Sequence, residues 1–385
     1  MKEVKKLKKI GLYIHIPFCY KKCSYCDFIS FKYNDQNIDQ YVKALLKEIE
    51  LYSSRLKKYK VKTLFIGGGT PSALTIDKMD TIVNKLYKSL SIESGIEFSV
   101  ESNPGTLTKE KLEGYLKIGV NRLSIGLQSF NDRILNSIGR IHSKEIFLRN
   151  YHTARDVGFD NINIDLMYGL PGQSLSDWKD TLEKVIELRP EHISAYALKI
   201  EEGTRFYDLY LQNKLHLADE EEEREMYHYT IETLNKQGIV QYEISNFAKE
   251  DYECEHNLIY WNNEEFLGLG LAAHSYLNFC RFANTNNFEE YINLLNNGKL
   301  PVSTKENKSR EDEIFETMFL GLRLTKGVNV NKFKKRFRLN PLEIYKYKLD
   351  KMIKLGLITV DENSIRLTRY GMDVSNQVFL EFIPE

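Results

Sequence analysis

Six short apolar stretches punctuate the first 200 positions: GLYIHIP (11–17), TLFIGGG (63–69), EFSVES (97–102), RLSIGLQ (122–128), NINIDLMYG (161–169) and HISAYAL (192–198). The segments between them space their apolar residues by three and four, as in IDQYVKALLKEIELYSSRL (38–56) and LSDWKDTLEKVIEL (175–188). The first pattern predicts strands and the second amphipathic helices. Their regular alternation predicts βαβ units and a parallel sheet. Right-handed crossovers would curl six such units into a partial (β/α)6 TIM-like barrel, so the expected class is α/β. Polar and glycine residues gather at the carboxyl ends of these strands: GGGTP, ESNPG, LQSF and DLMYGLPGQ. Barrel enzymes build their sites on that rim.

The pattern changes further on. Residues 1–240 read as the barrel, and 241–300 as an extension that contains EHNLIYWNNEEFLGLGLAAHSY. Residues 301–385 read as a small, mainly α, winged-helix-like domain entered through a polar linker, PVSTKENKSREDE, and closed by the hairpin LITVDENSIRLT. DEEEERE (219–225) predicts the start of a solvated helix, where acids favour the amino-terminal dipole.

Composition narrows the function. Net charge is zero, so Lys334, Lys335, Arg336 and Arg338 are expected on a solvated face and no nucleic-acid partner is implied. No apolar run is long enough to span a bilayer. The basic start, MKEVKKLKKIGLYIHIP, lacks a signal-peptide core and is expected to lead into the first strand. Five cysteines in 385 residues are no disulfide framework, which points to the cytoplasm.

Three of those cysteines fall within eight positions, Cys19, Cys23 and Cys26, in FCYKKCSYC. Structural zinc usually takes four protein ligands, and no second pair follows here. A cubane iron–sulfur cluster is held by thiolates, and three of them leave one iron open for a small molecule. Incidental thiols, or a zinc knuckle completed by His15, are the competing readings. Gly68 and Gly69 would let backbone approach a ligand closely. Glu101 and Asp165 are strand-end carboxylates suited to ammonium or ribose hydroxyls, and Arg140 to a carboxylate.

Taken in order, YIHIPFCYKKCSYC, GGGTP, ESNPG, GLQSF, GR and NIDLMYGLPGQ resemble the radical S-adenosylmethionine coproporphyrinogen III oxidase-like family. The resemblance covers the whole chain. It implies a [4Fe-4S] cluster on Cys19, Cys23 and Cys26, its open iron chelating S-adenosylmethionine. It also implies cofactor contacts from Tyr13, Tyr25, Gly68, Gly69, Thr70, Glu101, Gln128, Arg140 and Asp165.

Within the family, the oxidase branch carries a fourth cysteine two residues after the third, where this chain has Phe28, and an amino-terminal extension for which no room is expected here. HNLIYW (256–261) resembles instead the haem-binding chaperone branch. That implies haem as cargo, His256 as leading axial ligand with His274 and Cys254 as rivals, and a haem-accepting apoprotein as partner, with peripheral contact to membrane-bound haem proteins. The alternative is oxygen-independent coproporphyrinogen III oxidation by radical decarboxylation.

Overall fold

The computed structural model describes residues 7–383; the basic residues 1–6 lie outside them. Six strands follow the predicted order: β1 (Lys8–Ile16), β2 (Tyr59–Gly68), β3 (Ile92–Ser102), β4 (Arg122–Gln128), β5 (Ile162–Tyr168) and β6 (His192–Ala197). Each pairs in parallel with the next. Period-two alternation explains the two faces of β1. Ile10, Leu12, Ile14 and Ile16 are fully buried in a core shared with Tyr41, Leu45 and Ile49 of helix Asp35–Ser53. Gly11, Tyr13 and His15 take the opposite face. The Asn34 side chain accepts the Asn37 N–H and starts that helix, while Ser174 and Asp177 form a capping box for helix Leu175–Glu187.

The sheet does not stop at six strands. It gains β7 (Val240–Glu243), β8 (Asn246–Ala248), β9 (Phe266–Leu269), β10 (His274–Leu277), β11 (Cys280–Asn284) and β12 (Val302–Asn307). Their spatial order is β12-β11-β10-β9-β1-β2-β3-β4-β5-β6-β8-β7, so the sheet is open, with β12 and β7 at its edges. β9 lies parallel against β1, Leu269 opposite Ile14.

One expectation fails here. The polar stretch read as a linker contains strand β12, paired antiparallel with β11 from Cys280↔Asn307 to Asn284↔Val302. It sits at an edge, mostly exposed, so it needs no apolar residues and its sequence gives no strand signal.

Beyond it, Ile314, Met318, Val330, Phe333, Ile365 and Phe379 form a second core. Helices Val330–Phe337 and Lys346–Lys354 precede the hairpin Ile358–Val360/Ser364–Leu367, whose second strand also pairs with Val328–Asn329. This is the winged-helix-like arrangement expected. The Thr325 N–H donates to the Tyr242 carbonyl (3.0 Å), stitching the unit to β7. The acidic run begins helix Glu220–Lys236 as expected, capped by Asp219.

Candidate cofactor site

The three clustered cysteines lie in one loop that leaves the carboxyl end of β1. Backbone bonds staple it in place: Tyr33 N–H to the Cys19 carbonyl (2.8 Å), Ser24 N–H to Ile138 (3.0 Å) and Phe206 N–H to Ser24 (2.9 Å). All three thiols are free and half-buried. Thr70 Oγ1 donates to Cys19 Sγ (3.4 Å), and Arg140 Nη1 to Cys23 Sγ (3.6 Å). Burial pushes the Cys26 thiol up to about 11, with Cys23 and Cys19 adding to the shift. Among the described residues, no three His, Cys, Asp or Glu side chains group around a single metal ion. His15, the fourth ligand of a zinc knuckle, is bonded elsewhere, to Tyr13 Oη (2.8 Å) and the Ile29 carbonyl (3.2 Å). Thiolates that hold different irons of a cubane need not converge on one point, so the donor set fits a cluster better than an ion.

The rim around this loop is close-fitted. A Cβ on Gly69 would stand 2.8 Å from the Phe18 carbonyl oxygen and 3.0 Å from Cys19 Sγ, so only glycine lets β2 approach the loop. Gly68 has φ +113°, and its N–H donates to Glu101 Oε2 (2.9 Å). Burial, with Asp165 adding, pushes the Glu101 carboxyl up to about 7 against the pull of that N–H. Asp165 is also raised by burial, and is held by Ser124 Oγ (2.9 Å) and Asn163 Nδ2 (2.8 Å).

Gln128, buried at the end of β4, has a left-handed backbone (φ +71°) beside a register shift between β4 and β5, a strained conformation of the kind that clusters at ligand sites. Arg140 donates to Asn103 Oδ1 (2.7 Å) and to the Gly126 carbonyl, while its Nε is buried with no partner. Ser102 Oγ is orphaned in the same way. Unmet buried donors on a rim are what an anionic or zwitterionic ligand satisfies. Tyr25 packs against the small apolar cluster that Ile134, Leu135, Ile138, Met167, Leu170 and Phe206 form.

Tyr25, Gly68, Gly69, Thr70, Glu101, Gln128, Arg140 and Asp165 are thus set around one end of the strands, with the cysteine loop beside them, while Tyr13 lies deeper, opposite Phe65 in mid-strand. His256 is not among them. Helix Glu255–Trp261 lies against the other end, with His256 Nδ1 on Thr63 Oγ1 (2.8 Å). Thr63 is five residues before Gly68 on β2, on the order of 16 Å along the strand. His256 Nε2 meets Tyr260 Oη (2.8 Å), so both ring nitrogens are bonded. The ring stacks on Phe65 at 5.2 Å and is 1% exposed. Burial, with the cations of Arg122 and Lys62, drives its pKa down to about 3, so the imidazole is neutral. Of the rival ligands, Cys254 is buried beside Glu97 (3.5 Å), and His274 is exposed at the start of β10.

The residues that sequence reasoning missed are polar ones inside the sheet. Ser124, Asn163 and Thr63 hold the site and its floor, and Glu97 accepts the N–H groups of Glu255 (2.9 Å) and His256 (3.0 Å). For Ser124, Asn163 and Glu97 the signal was a polar residue recurring at period two within an otherwise apolar strand; Thr63, between Val61 and Phe65, gave none.

A rim of this make, a three-thiol loop over glycine and carboxylate strand ends, defines a radical S-adenosylmethionine protein. Residues 13–185 match the Radical SAM superfamily, and residues 309–374 the HemN C-terminal domain. The chain is 39% identical to the Heme chaperone HemW of Bacillus subtilis over 97% of its own length and 99% of that protein's. It is 36% identical to the Heme chaperone HemW of Lactococcus lactis over 98% of both. The coproporphyrinogen III oxidase HemN from Escherichia coli superimposes with a TM-score of 0.86 at 25% identity, covering 98% of this chain and 90% of that one. The chain belongs to the radical SAM coproporphyrinogen III oxidase-like family, in its HemW branch.

Proposed function

We propose that this protein is a haem chaperone: it binds haem, carries a [4Fe-4S] cluster ligated by S-adenosylmethionine, and passes haem to an acceptor apoprotein. The observation that carries this reading is Phe28. The oxidase pattern has a thiol at this position, and here a bulky apolar ring, 60% exposed, stands beside the cysteine loop. Relatives similar over nearly the whole of both chains bear the name of heme chaperone, which supports the same conclusion.

Cys19, Cys23 and Cys26 would hold the cluster. When bound, it offers an open iron to the amino and carboxylate groups of the cofactor. The chain's own residues do the rest. Thr70 and Arg140 donate to the sulfurs, which tunes such clusters. The orphaned Nε of Arg140 is the donor in hand for a carboxylate. Glu101, fixed by the Gly68 N–H, would accept from the cofactor ammonium, and Asp165 from ribose hydroxyls. Gly68 and Gly69 admit the cofactor against backbone.

The test is anaerobic reconstitution followed by two assays. Haemin should bind in a saturable way, and the loaded protein should transfer it to a haem-free acceptor. Coproporphyrinogen III, supplied with cofactor and reductant, should remain unconverted. Robust decarboxylation would replace the chaperone reading with the oxidase one.

A further inference from the structure

β4 does not end as a regular strand. Its pairing with β3 stops at Ile125, and its pairing with β5 skips from Gly126↔Asp165 to Gln128↔Leu166, which leaves Leu127 without a partner on either side. A bulge of this kind re-aims the side chain that follows it. Gln128 turns into the left-handed region, φ +71°, and its amide folds back over Gly126. A Cβ at Gly126 would stand 3.0 Å from Gln128 Nε2 and 2.9 Å from Arg140 Nη2, so only glycine leaves room for the two to meet.

The carbonyls of Gly126 and Leu127 are buried at this bulge and need donors. Both donors come from one turn, between helices Asp132–Ser137 and Lys144–Asp156. Arg140 donates to the Gly126 carbonyl and His142 Nε2 to the Leu127 carbonyl (3.3 Å). A carbonyl only accepts, so Nε2 carries the proton. Burial, with the Arg140 cation, drives the pKa of His142 down to about 3, so the ring is neutral. Its Nδ1 then keeps a lone pair, buried with no partner. His256 on the floor has both nitrogens bonded, whereas here one is left unmet, a cost that folds keep beside functional sites. Beyond the bulge, Thr181 Oγ1 accepts the Phe130 N–H (3.2 Å), so the strained residue is held from both sides.

We propose that His142 is a positioning residue of the cofactor site: it holds the Leu127 carbonyl, which fixes the bulge and aims Gln128 at S-adenosylmethionine beside Arg140. The proposal rests on the cofactor reading above and deepens it. The ring acts through the backbone of Leu127 and Gln128, and the nitrogen that matters is Nε2.

The experiment reconstitutes the full-length protein anaerobically and titrates the reduced cluster with S-adenosylmethionine, reading the change in its EPR spectrum and counting iron in every variant. Gln128→Ala should weaken the cofactor about tenfold and His142→Leu about as much, both keeping about four irons per chain. Because one residue acts through the other, the double variant should fall within about twofold of the weaker single variant. His142→Gln, whose amide N–H reaches where Nε2 stood, should bind within about threefold of the parent. His142→Asn, which puts its amide near the former Nδ1, should fail as His142→Leu does. These two variants keep a polar side chain and decide the matter even where Leu disturbs folding. Losses that multiply in the double variant, rescue by Asn and not by Gln, or parent affinity in His142→Leu beside a loss in Gln128→Ala would each overturn the positioning role while leaving the cofactor at Gln128. Parent affinity in Gln128→Ala would overturn that placement of the cofactor, and the proposal with it.

Discussion

The two ends of the same six strands are built differently. At the carboxyl rim, Arg140 Nε and Ser102 Oγ are buried without partners, Gln128 has a left-handed backbone, and three thiols stand half-open. At the floor, His256 has both nitrogens bonded, Glu97 receives two backbone N–H groups, and aromatic rings run from Tyr13 through Phe65 to His256. Buried polar groups left unmet are costly, so a protein keeps them only where something else will meet them. The floor around His256 is closed largely by its own bonds, with Arg122 Nε and Trp261 Nε1 the exceptions. The difference is one of degree: the rim leaves thiols and strained backbone open, while the histidine of HNLIYW is held by two hydrogen bonds.

The largest test of that contrast exchanges cysteines between the two ends. Replacing Cys19, Cys23 or Cys26 with Ala should take the reconstituted protein from about four irons per chain to nearly none, with the unfolding midpoint of the cluster-free form little changed. Cys254→Ala should do the reverse. It should keep its iron and lose about 1–3 kcal/mol, because a fully buried side chain disappears from the floor. Iron retained in all three rim variants would remove the cluster from this loop.

A smaller effect is expected from His256→Ala. The change strands the Thr63 and Tyr260 hydroxyls in a dry interior and leaves a void beside Phe65, at a cost of about 3–5 kcal/mol in urea unfolding. The iron content should not move. A loss under 1 kcal/mol would mean that the floor tolerates an opening.

The smallest effect is one of pH and belongs to the rim. The Glu101 carboxyl is raised from 4.5 to about 7 in the fold, so the folded state holds a proton that the unfolded state has released. Stability of the cofactor-free protein should therefore be full below pH 4.5, fall as pH rises, and level off above about 7. The contribution from this group is about 3 kcal/mol. Glu101→Gln should remove that part of the slope, and an unchanged profile would show that the carboxyl is not desolvated. Glu48, likewise raised to about 7 by burial, supplies a separate slope that survives in the variant.

The same two ends differ in how far the sequence revealed them. All six barrel strands were legible, because their apolar runs are buried and flanked by helices of clear period. The rim was legible because its chemistry is concentrated in short contiguous motifs at strand ends. β12 was not, since an exposed edge strand is held by backbone bonds that any polar sequence can make. Nor was the orientation of HNLIYW. Spacing places His256 and Tyr260 on one face and Leu258 and Trp261 on another, but only packing decides which of them turns inward. Glu97 and Thr63, which fix that choice, lie more than 150 residues away in sequence.

β1 carries the cysteine loop and is flanked by β2 on one side and by β9 on the other. On the ribosome β1 emerges well before that second neighbour, which ends at Leu269. At roughly 5–20 residues per second, the wait is about 10–50 s. Throughout that time β1 is an unpaired edge lined with isoleucine and leucine, and such edges recruit other chains. The growing polypeptide thus passes through a period when its cysteine loop is tethered to an adhesive, half-finished sheet.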